Sequence, residues 1–523
     1  MAQPHRDPLV RAFERLAAAR PAAPLVVSAG RRATAADLDA QARAAARALG
    51  DDPPRPGEPV ALLAANGPAF LAGLVALLRA GAAPLLLDAR APGAERARVA
   101  RELGAPRLLA CARAWPEGPG DWHAGRQIGV PAVNGSCRPR PGGKGGAVIE
   151  LTSGAVIELT SGAVIELTSG AVIELTSGAV IKLTSGSTGA PRGIVTPVEA
   201  LLADDDALSA TMGLSDRDRL LAAIPFSHSY GLSSLVVPAL ARGRTLVVPG
   251  EDGPFGPLAA AAAAGVTAFP TVPAYLAALL RLDEPPPLPP SLRLVLTAGA
   301  PLPAETSARF RARYGRPVHV FYGASECGGI CYDREGDAAE RGTVGAPVEG
   351  VRIELEASGG ADGEGTAADG GGRVGVRSPA VAAGYLPRPD PSLAGGRFLT
   401  EDLAVWRGGE LALVGRLDDV INVRGKKVNP REVERVLRGL AAVEDVAVFA
   451  APAAGGGACE PTVRAVIACA AGALTREAVL SWCRDRLADH KRPRSVVLVE
   501  RLPRTERGKL DRAALDRLAA MGG

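Results

Sequence analysis

Apolar positions along this chain recur with two periods, and the switches between them mark its elements. The segment Ala33–Leu49 (ATAADLDAQARAAARAL) has the spacing of a helix opened by Thr34, PVALLAA (59–65) reads as a short apolar strand, GPAFLAGLVALLRAG (67–81) as a helix, and APLLLD (83–88) as a second strand. The same strand–helix–strand order returns at 219–247 (LLAAIPF, SSLVVPALARG, TLVVP) and at 266–299 (VTAFP, VPAYLAALLRL, LRLVLTAG). Such alternation predicts parallel-rich sheets covered by helices. The first twenty residues predict an amphipathic helix, and the Gly-, Pro- and Arg-rich stretch 105–145 an irregular loop. From 341 to 415 the pattern changes to short alternating segments (VRIELEA, GRVGVRS, LALVG) between Gly-rich turns, which predicts a small β-rich subdomain. Within it ASGGADGEGTAADGGGR reads as a flexible loop. After Arg416 the order is helix 430–439, strand 443–450, strand 462–470, helix 475–489, strand 495–500 and a last helix beyond Lys509, an α+β tail. The expected fold class is α/β. It comprises a large N-terminal domain (1–415) of parallel-rich sheets, helices and a β-rich subdomain, and a small mobile α+β C-terminal domain (416–523).

Composition adds mainly exclusions. A chain of 523 residues exceeds what one core usually serves, so at least two domains are expected. A net charge of +4, with Lys and Arg interleaved among Asp and Glu, leaves no nucleic-acid footprint. Seven cysteines (111, 137, 327, 331, 459, 469, 483) form no Cys-x-x-Cys pair, so they read as free thiols in a reducing cytoplasm and not as a zinc site or disulfide framework. Two charge-free stretches, 59–78 and 253–280, are interrupted by Gly and Pro, so neither is a single membrane-spanning helix.

One feature departs from ordinary globular sequence. AVIELTSG stands four times in tandem over 147–178 and once more as AVIKLTSG at 179–186. A period of eight is too short for the common solenoids. Each unit is a strand of about five residues followed by a Thr-Ser-Gly turn. A tandem expansion is favoured over a functional β array, because only the last copy continues into Ser187-Thr188-Gly189. Near-identical copies could also compete for one sheet position, leaving register weakly specified.

That last copy leads to the first candidate chemistry. In Leu183-Thr-Ser-Gly-Ser-Thr-Gly-Ala-Pro-Arg-Gly193, glycines at 186, 189 and 193 free the backbone to turn its N–H groups inward. The hydroxyls of Thr184, Ser185, Ser187 and Thr188 add donors, and Arg192 adds charge. Such a loop can cradle a polyphosphate. It lacks the Gly-Lys-Ser/Thr of a Walker A loop, which disfavours a P-loop NTPase.

Four further segments follow in order: Phe321-Tyr-Gly-Ala-Ser-Glu326, Phe398-Leu-Thr-Glu-Asp402, Gly415-Arg-Leu-Asp-Asp-Val-Ile-Asn-Val-Arg-Gly-Lys-Lys-Val-Asn-Pro-Arg-Glu432 and Leu502-Pro-Arg-Thr-Glu-Arg-Gly-Lys509. With the 183–193 loop, this set resembles the ordered motifs of the adenylate-forming superfamily of acyl-CoA synthetases, adenylation domains and luciferases, and it is most similar to bacterial acyl-CoA synthetases. The resemblance implies ATP and Mg²⁺ as cofactors, and an acid activated as its adenylate. Lys509 would be the catalytic cation, and Glu326 a magnesium ligand with Thr184. Tyr322 would stack on adenine, with Gly299, Ala300, Gly323 and Ser325 lining that pocket and residues Thr184–Gly189 and Arg192 around the phosphates. Asp402 and Arg416 would hold the ribose, with Lys427 as a further cation. Asp418 would be the hinge about which the C-terminal domain rotates after adenylation, and Gly425 would then approach the thiol tunnel.

The acid itself is less legible. Pro225-Phe-Ser-His-Ser-Tyr-Gly231 resembles the motif beside the acyl site, and His228 is the candidate for contact with the carboxylate. Amino-acid-activating relatives carry Asp two residues after the equivalent proline. Ser227 stands there, which favours a fatty or aryl acid. Two departures stand out: Arg192 replaces the usual Lys, keeping the charge, and Glu401 replaces the usual Gly, adding a side chain beside the ribose site; both are expected to be tolerated at some cost. The implied activity is a ligase making acyl-AMP and then acyl-CoA with coenzyme A. The alternatives are an acyl-AMP ligase that loads a carrier-protein thiol, and an inactive nucleotide-binding relative disrupted by the repeats.

Overall fold

The computed structural model describes residues 7–28, 30–50, 53–126, 139–141, 147–150, 156–159, 163–166, 172–175, 178–185, 191–249, 256–356, 371–417, 421–423, 426–451, 462–487, 489–504, 510–511, 514–515 and 517–518. By its internal contacts the chain divides into two units, Met1–Ile353 with Val376–Leu399, and Glu354–Gly375 with Thr400–Gly523.

Two sheets organise the first unit. A nine-stranded sheet runs in the order 31–34, 24–28, 245–247, 219–221, 268–271, 294–297, 319–324, 328–332 and 346–347. From Pro24–Ser28 through His319–Ala324 its neighbours are parallel, and antiparallel strands close both edges. A seven-stranded sheet runs 384–386, 191–197, 179–185, 83–86, 59–63, 107–111 and 122–126. Its four central strands, 179–185 through 107–111, are parallel. The expected elements at 33–103 form, with their boundaries set by local chemistry. Thr34 and Asp37 make a reciprocal capping box on helix Ala35–Ala48. Helix Pro68–Arg79 starts with proline, whose missing N–H is no loss there, and it is buried along almost its whole length. The amphipathic first helix, Pro8–Ala19, is capped by Asp7, which accepts from Leu9 and Val10 N–H at 2.9 and 3.1 Å.

The stretch 105–145 is more ordered than its composition predicts. Arg107–Cys111 and Trp122–Arg126 pair antiparallel and complete the seven-stranded sheet. The short run Leu108-Leu109-Ala110-Cys111 suffices for a strand once Val60–Leu63 offers a parallel partner on one side and Trp122–Arg126 an antiparallel one on the other. Residues 127–138 and 142–146 lie outside the described residues.

The octapeptides separate into two groups. The first four pair among themselves, 147–150 with 156–159 and 163–166 with 172–175. Among the described residues only the fifth, Ala179–Ser185, enters the seven-stranded sheet, antiparallel to Pro191–Pro197 and parallel to Ala83–Leu86. The expected competition for one sheet position thus has a single occupant, with Ala179, Val180 and Ile181 fully buried.

In the second unit, residues 402–407 pair with Glu410–Arg416, and Ile421–Val423 pairs with Lys426–Val428. A three-stranded sheet of Asp445–Ala451, Thr462–Ala468 and Ser495–Val499 packs against helices Pro430–Leu437 and Arg476–Arg484 around Val433, Leu437, Ile467, Val479 and Cys483. The second of these helices is shorter than the predicted 475–489, since Thr475 caps it and regular helix ends at Arg484. Cys111, Cys327, Cys331, Cys469 and Cys483 are buried and unbridged.

Candidate active site

In open α/β sheets, ligands bind beyond the carboxyl ends of parallel strands. In the first unit the candidate residues leave at those ends. Strand Arg219–Leu221 runs on toward His228, Leu294–Thr297 into Ala298-Gly299-Ala300, and His319–Ala324 into Ser325-Glu326. In the second sheet Ala83–Leu86 runs on to Asp88, and Ala179–Ser185 leads to residues 186–190, which lie outside the described residues. Side-chain contacts join groups from the two sheets. His228 Nε2 lies 3.3 Å from Asp88 Oδ2, and Lys182 Nζ donates to the Ser325 carbonyl at 2.5 Å.

Glu326 stands on the turn of an antiparallel hairpin, with Tyr322 half-buried on its first strand opposite Cys331. The hairpin depends on two glycines. A Cβ at Gly323 would come 2.7 Å from the Gly328 carbonyl oxygen. Gly328, at φ +69°, could carry one only 2.3 Å from Asp204 Oδ1. Asp204 is buried and accepts the Gly329 N–H at 2.9 Å. Burial pushes the Asp204 carboxyl up, against the Gly329 and Ser233 hydrogen bonds and the charge of Lys182. Burial pushes the Lys182 ammonium down, against the charges of Asp204 and Glu326. Glu326 Oε1 accepts a 2.9 Å hydrogen bond from the Tyr385 hydroxyl, whose own proton is held more tightly through burial and the Glu326 charge.

Arg192 is committed to this cluster by its plane as well as its charge. Its guanidinium lies over the Tyr385 ring, 3.8 Å from the centroid, and donates to Asp390 Oδ2 at 2.9 Å. Burial works against ionisation of Asp390, yet Ser392 and Arg192 together hold its carboxyl below the usual range. The expectation of Arg192 as a phosphate-loop charge is therefore sharpened: it stacks on the tyrosine that hydrogen-bonds Glu326. A lysine in this place would keep the charge and lose the stacking face.

Around His228, the Asn66 side chain brackets the preceding segment, donating to Ile224 O and accepting from Phe226 N, both at 2.8 Å. Ser227 is buried. Burial raises the Asp88 carboxyl, but the Arg90 N–H and His228 outweigh it and hold it below its ordinary value. Tyr230 packs on Phe321, next to Tyr322, with ring centroids 5.8 Å apart. Gly299 and Ala300 are exposed. Thr184 is half-buried and paired in the ladder with Arg192, and Ser185 pairs with Pro191.

In the second unit, Asp402 and Arg416 face each other in their hairpin, with Arg416 Nη1 3.4 Å from Asp402 Oδ1. Thr400 Oγ1 accepts the Asp402 N–H at 2.9 Å. The side chain that Glu401 adds next to this pair turns toward Arg373. Adjacent strand residues point to opposite faces, and Glu401 forms an ion pair with Arg373. Lys427 lies on the strand Lys426–Val428, its backbone paired with Asn422. Gly186, Ser187, Thr188, Gly189, Asp418, Gly425 and Lys509 lie outside the described residues.

Sequence reasoning missed Lys182, Asp204, Asp88, Tyr385 and Asp390. Only Lys182 carried a visible signal, being the one position at which the fifth octapeptide differs from the first four.

With this geometry in hand, comparison with known proteins is informative. A feruloyl-CoA synthase from Amycolatopsis is 32% identical over 334 residues, covering 62% of this chain and 66% of that protein, just under two thirds of its length. A 2-succinylbenzoate–CoA ligase from Bacillus cereus is 30% identical over 338 residues, covering 64% of this chain and 68% of the relative. Among solved structures, the O-succinylbenzoate coenzyme A synthetase of Bacillus subtilis in complex with AMP superposes with a TM-score of 0.73 at 23% identity, over 96% of this chain and 97% of that one. The amide bond synthetase McbA of Marinactinospora thermotolerans gives 0.72 at 26% identity, over 98% and 99%. Residues 13–386 match the AMP-binding enzyme family and residues 432–509 the AMP-binding enzyme C-terminal domain, so this chain belongs to the AMP-binding enzymes.

Proposed function

We propose that the protein is an ATP-dependent acid–CoA ligase. The carboxylate oxygen attacks the α-phosphorus of ATP, pyrophosphate leaves and acyl-AMP forms. The thiol sulfur of coenzyme A then attacks the acyl carbon, and AMP leaves with the anhydride oxygen. The observation that carries this reading is Glu326, a carboxylate held by Tyr385 at the carboxyl end of a parallel strand. No group of three or more His, Cys, Asp or Glu side chains able to hold a metal is found among the described residues. That suits magnesium, which is commonly held by one or two carboxylates together with substrate phosphates. When bound, the ion would neutralise phosphate charge, with Glu326 and Thr184 as its protein ligands.

The other roles follow the order of the motifs. Tyr322, Gly323, Ser325, Gly299 and Ala300 receive the adenine, and residues Thr184–Gly189 the phosphates. Asp402 and Arg416 take the ribose hydroxyls, with Lys427 as a further cation. Lys509 offsets the repulsion between the two reacting anions. We assign residues 1–415 to the adenylation domain and 416–523 to a mobile domain hinged at Asp418. Its rotation retires Lys509 and brings Gly425 to the thiol step, so that one site runs two half-reactions.

For the acid, we favour an aryl over a fatty substrate, placed beside His228. Support comes from Ser227, which supplies no carboxylate for an ammonium, and from relatives named for feruloyl, 2-succinylbenzoate and 4-hydroxybenzoate substrates. Five buried, unbridged thiols suit a reducing cytoplasm, and no helix among the described residues is long and apolar enough to cross a membrane. Acid-dependent pyrophosphate–ATP exchange across aryl and fatty acids tests the reading. Exchange with aryl acids and release of their CoA thioesters are expected, and exchange with no acid despite ATP binding would overturn it. Exchange without a CoA thioester would point instead to a carrier-protein thiol. Lys509→Ala is expected to abolish exchange yet spare thioester formation from supplied acyl-AMP; equal loss of both would refute the hinge.

A further inference from the structure

The first four octapeptides have no place in the proposed reaction, and the fold treats the fifth, which leads into the phosphate loop, differently from them. At the fourth position of each unit the chain reads Glu150, Glu158, Glu166, Glu174 and then Lys182. Lys182 is 2% exposed on a central strand, an unusual place for lysine. On the other face of that strand Ala179, Ile181 and Leu183 pack into the apolar core with Leu85 and Val195. Lys182 itself meets the Ser325 carbonyl at 2.5 Å, and the carboxylates whose charge acts on it are those of Asp204 and Glu326. A glutamate in its place would add a third carboxylate to Asp204 and Glu326, and when ionised it has no proton to give Ser325.

Chain connectivity discriminates between copies much less. Strand Ala179–Ser185 joins Pro191–Pro197 through five residues. Using the fourth copy instead would lengthen that link by one octapeptide, and closure entropy grows only logarithmically with length. The apolar positions are the same in every copy. The buried charge is what differs.

We propose that Lys182 is a positioning residue: it selects the fifth octapeptide for the core sheet and, from there, holds the Ser325–Glu326 turn. The second half of this statement rests on the reading of Glu326 as the magnesium ligand. The first half stands without it.

The test moves the lysine in the full-length chain. In the double variant Glu174→Lys with Lys182→Glu, hydrogen-exchange protection followed by mass spectrometry is expected to migrate from residues 179–185 to 171–177. Acid-dependent exchange activity is expected to fall about 100-fold or more, because the sheet strand no longer runs into Ser187-Thr188-Gly189. Protection that stays on 179–185 would overturn the selection. Should the double variant not fold, Glu174→Lys alone leaves two lysine-bearing copies. It is expected to show two populations of protection, whereas protection of 179–185 alone would again overturn the proposal.

Lys182→Met removes the donor while keeping a long apolar stem, and it tests the positioning. The magnesium concentration for half-maximal exchange is expected to rise about 10-fold, with the rate at saturating magnesium within about 3-fold of the parent. A loss of rate with no change in magnesium requirement would reduce Lys182 to a structural role. Glu326→Gln separates the two readings. If that variant leaves the magnesium requirement unchanged, the assignment of Glu326 fails, while the migration of protection still decides the role of Lys182.

Discussion

Two carboxylates that the sequence placed side by side in function are held in physically different ways. In the first unit Glu326 belongs to a buried polar network: Tyr385 donates to it, Arg192 stacks on that tyrosine, and Lys182 and Asp204 are sealed beneath the same hairpin at 2% and 3% exposure. In the second unit Asp402 faces Arg416 across a two-stranded ribbon, and the arginine side chain is 39% exposed. A buried charge left without its partner costs about 3–5 kcal/mol, while an exposed pair contributes about 0–1. The first arrangement is rigid because losing Lys182 or Asp204 would leave the other's charge buried without its partner. The second can exchange its partner for a ligand at little cost, which suits a carboxylate proposed to take up ribose hydroxyls.

Three measurements would break or sharpen that contrast. The largest expected effect is on chemistry. Glu326→Gln keeps an acceptor for the Tyr385 hydroxyl but removes the charge, so exchange activity should fall about 100-fold while the melting temperature hardly moves. A comparable loss of stability would mean that Glu326 serves the fold before the reaction.

Next comes Asp7, a buried carboxylate without such a network. Its Oδ2 is buried with no hydrogen-bond partner among the described residues, and burial, opposed by the Val10 and Leu9 N–H groups, pushes its pKa up to about 6. The folded state therefore holds this proton where the unfolded chain, near 3.9, has lost it, so Asp7 makes stability fall as pH rises from about 4 to about 6. Asp7→Asn keeps a good cap and removes the charge. Melting at pH 7.5 should show a gain of about 1–3 kcal/mol that shrinks toward zero near pH 4. An equal gain at both pH values would show that ionisation is not the cause.

The smallest effect is expected from Arg416→Ala, which should cost no more than about 1 kcal/mol in denaturant unfolding. A loss of several kcal/mol would show the ribbon pair to be as deeply committed as the buried network, and the contrast would fail.

Much of this was legible beforehand because it is local. Hydrophobic period placed strands and helices of 33–103, Thr34 marked a helix start, and the strand-to-loop switches put Gly299 and the 183–193 loop at strand ends. Local pattern failed where partners are remote. Arg107–Cys111 became a strand only because a neighbouring parallel strand accepted it. Composition counted Arg192 as a loop charge, but it cannot aim a guanidinium at a tyrosine 193 residues away. Glu401 reads in the sequence as an added side chain beside the ribose site, and strand alternation turns it toward Arg373.

The sequence by itself determined the family's motif order and the parallel α/β plan, and it named candidate site residues, since each depends on neighbours along the chain. Which of five near-identical octapeptides becomes the core strand was decided only by the tertiary structure. Their apolar patterns are the same, and the choice falls to a single side chain, Lys182, whose fit depends on Asp204 and Ser325 arriving from elsewhere in the fold.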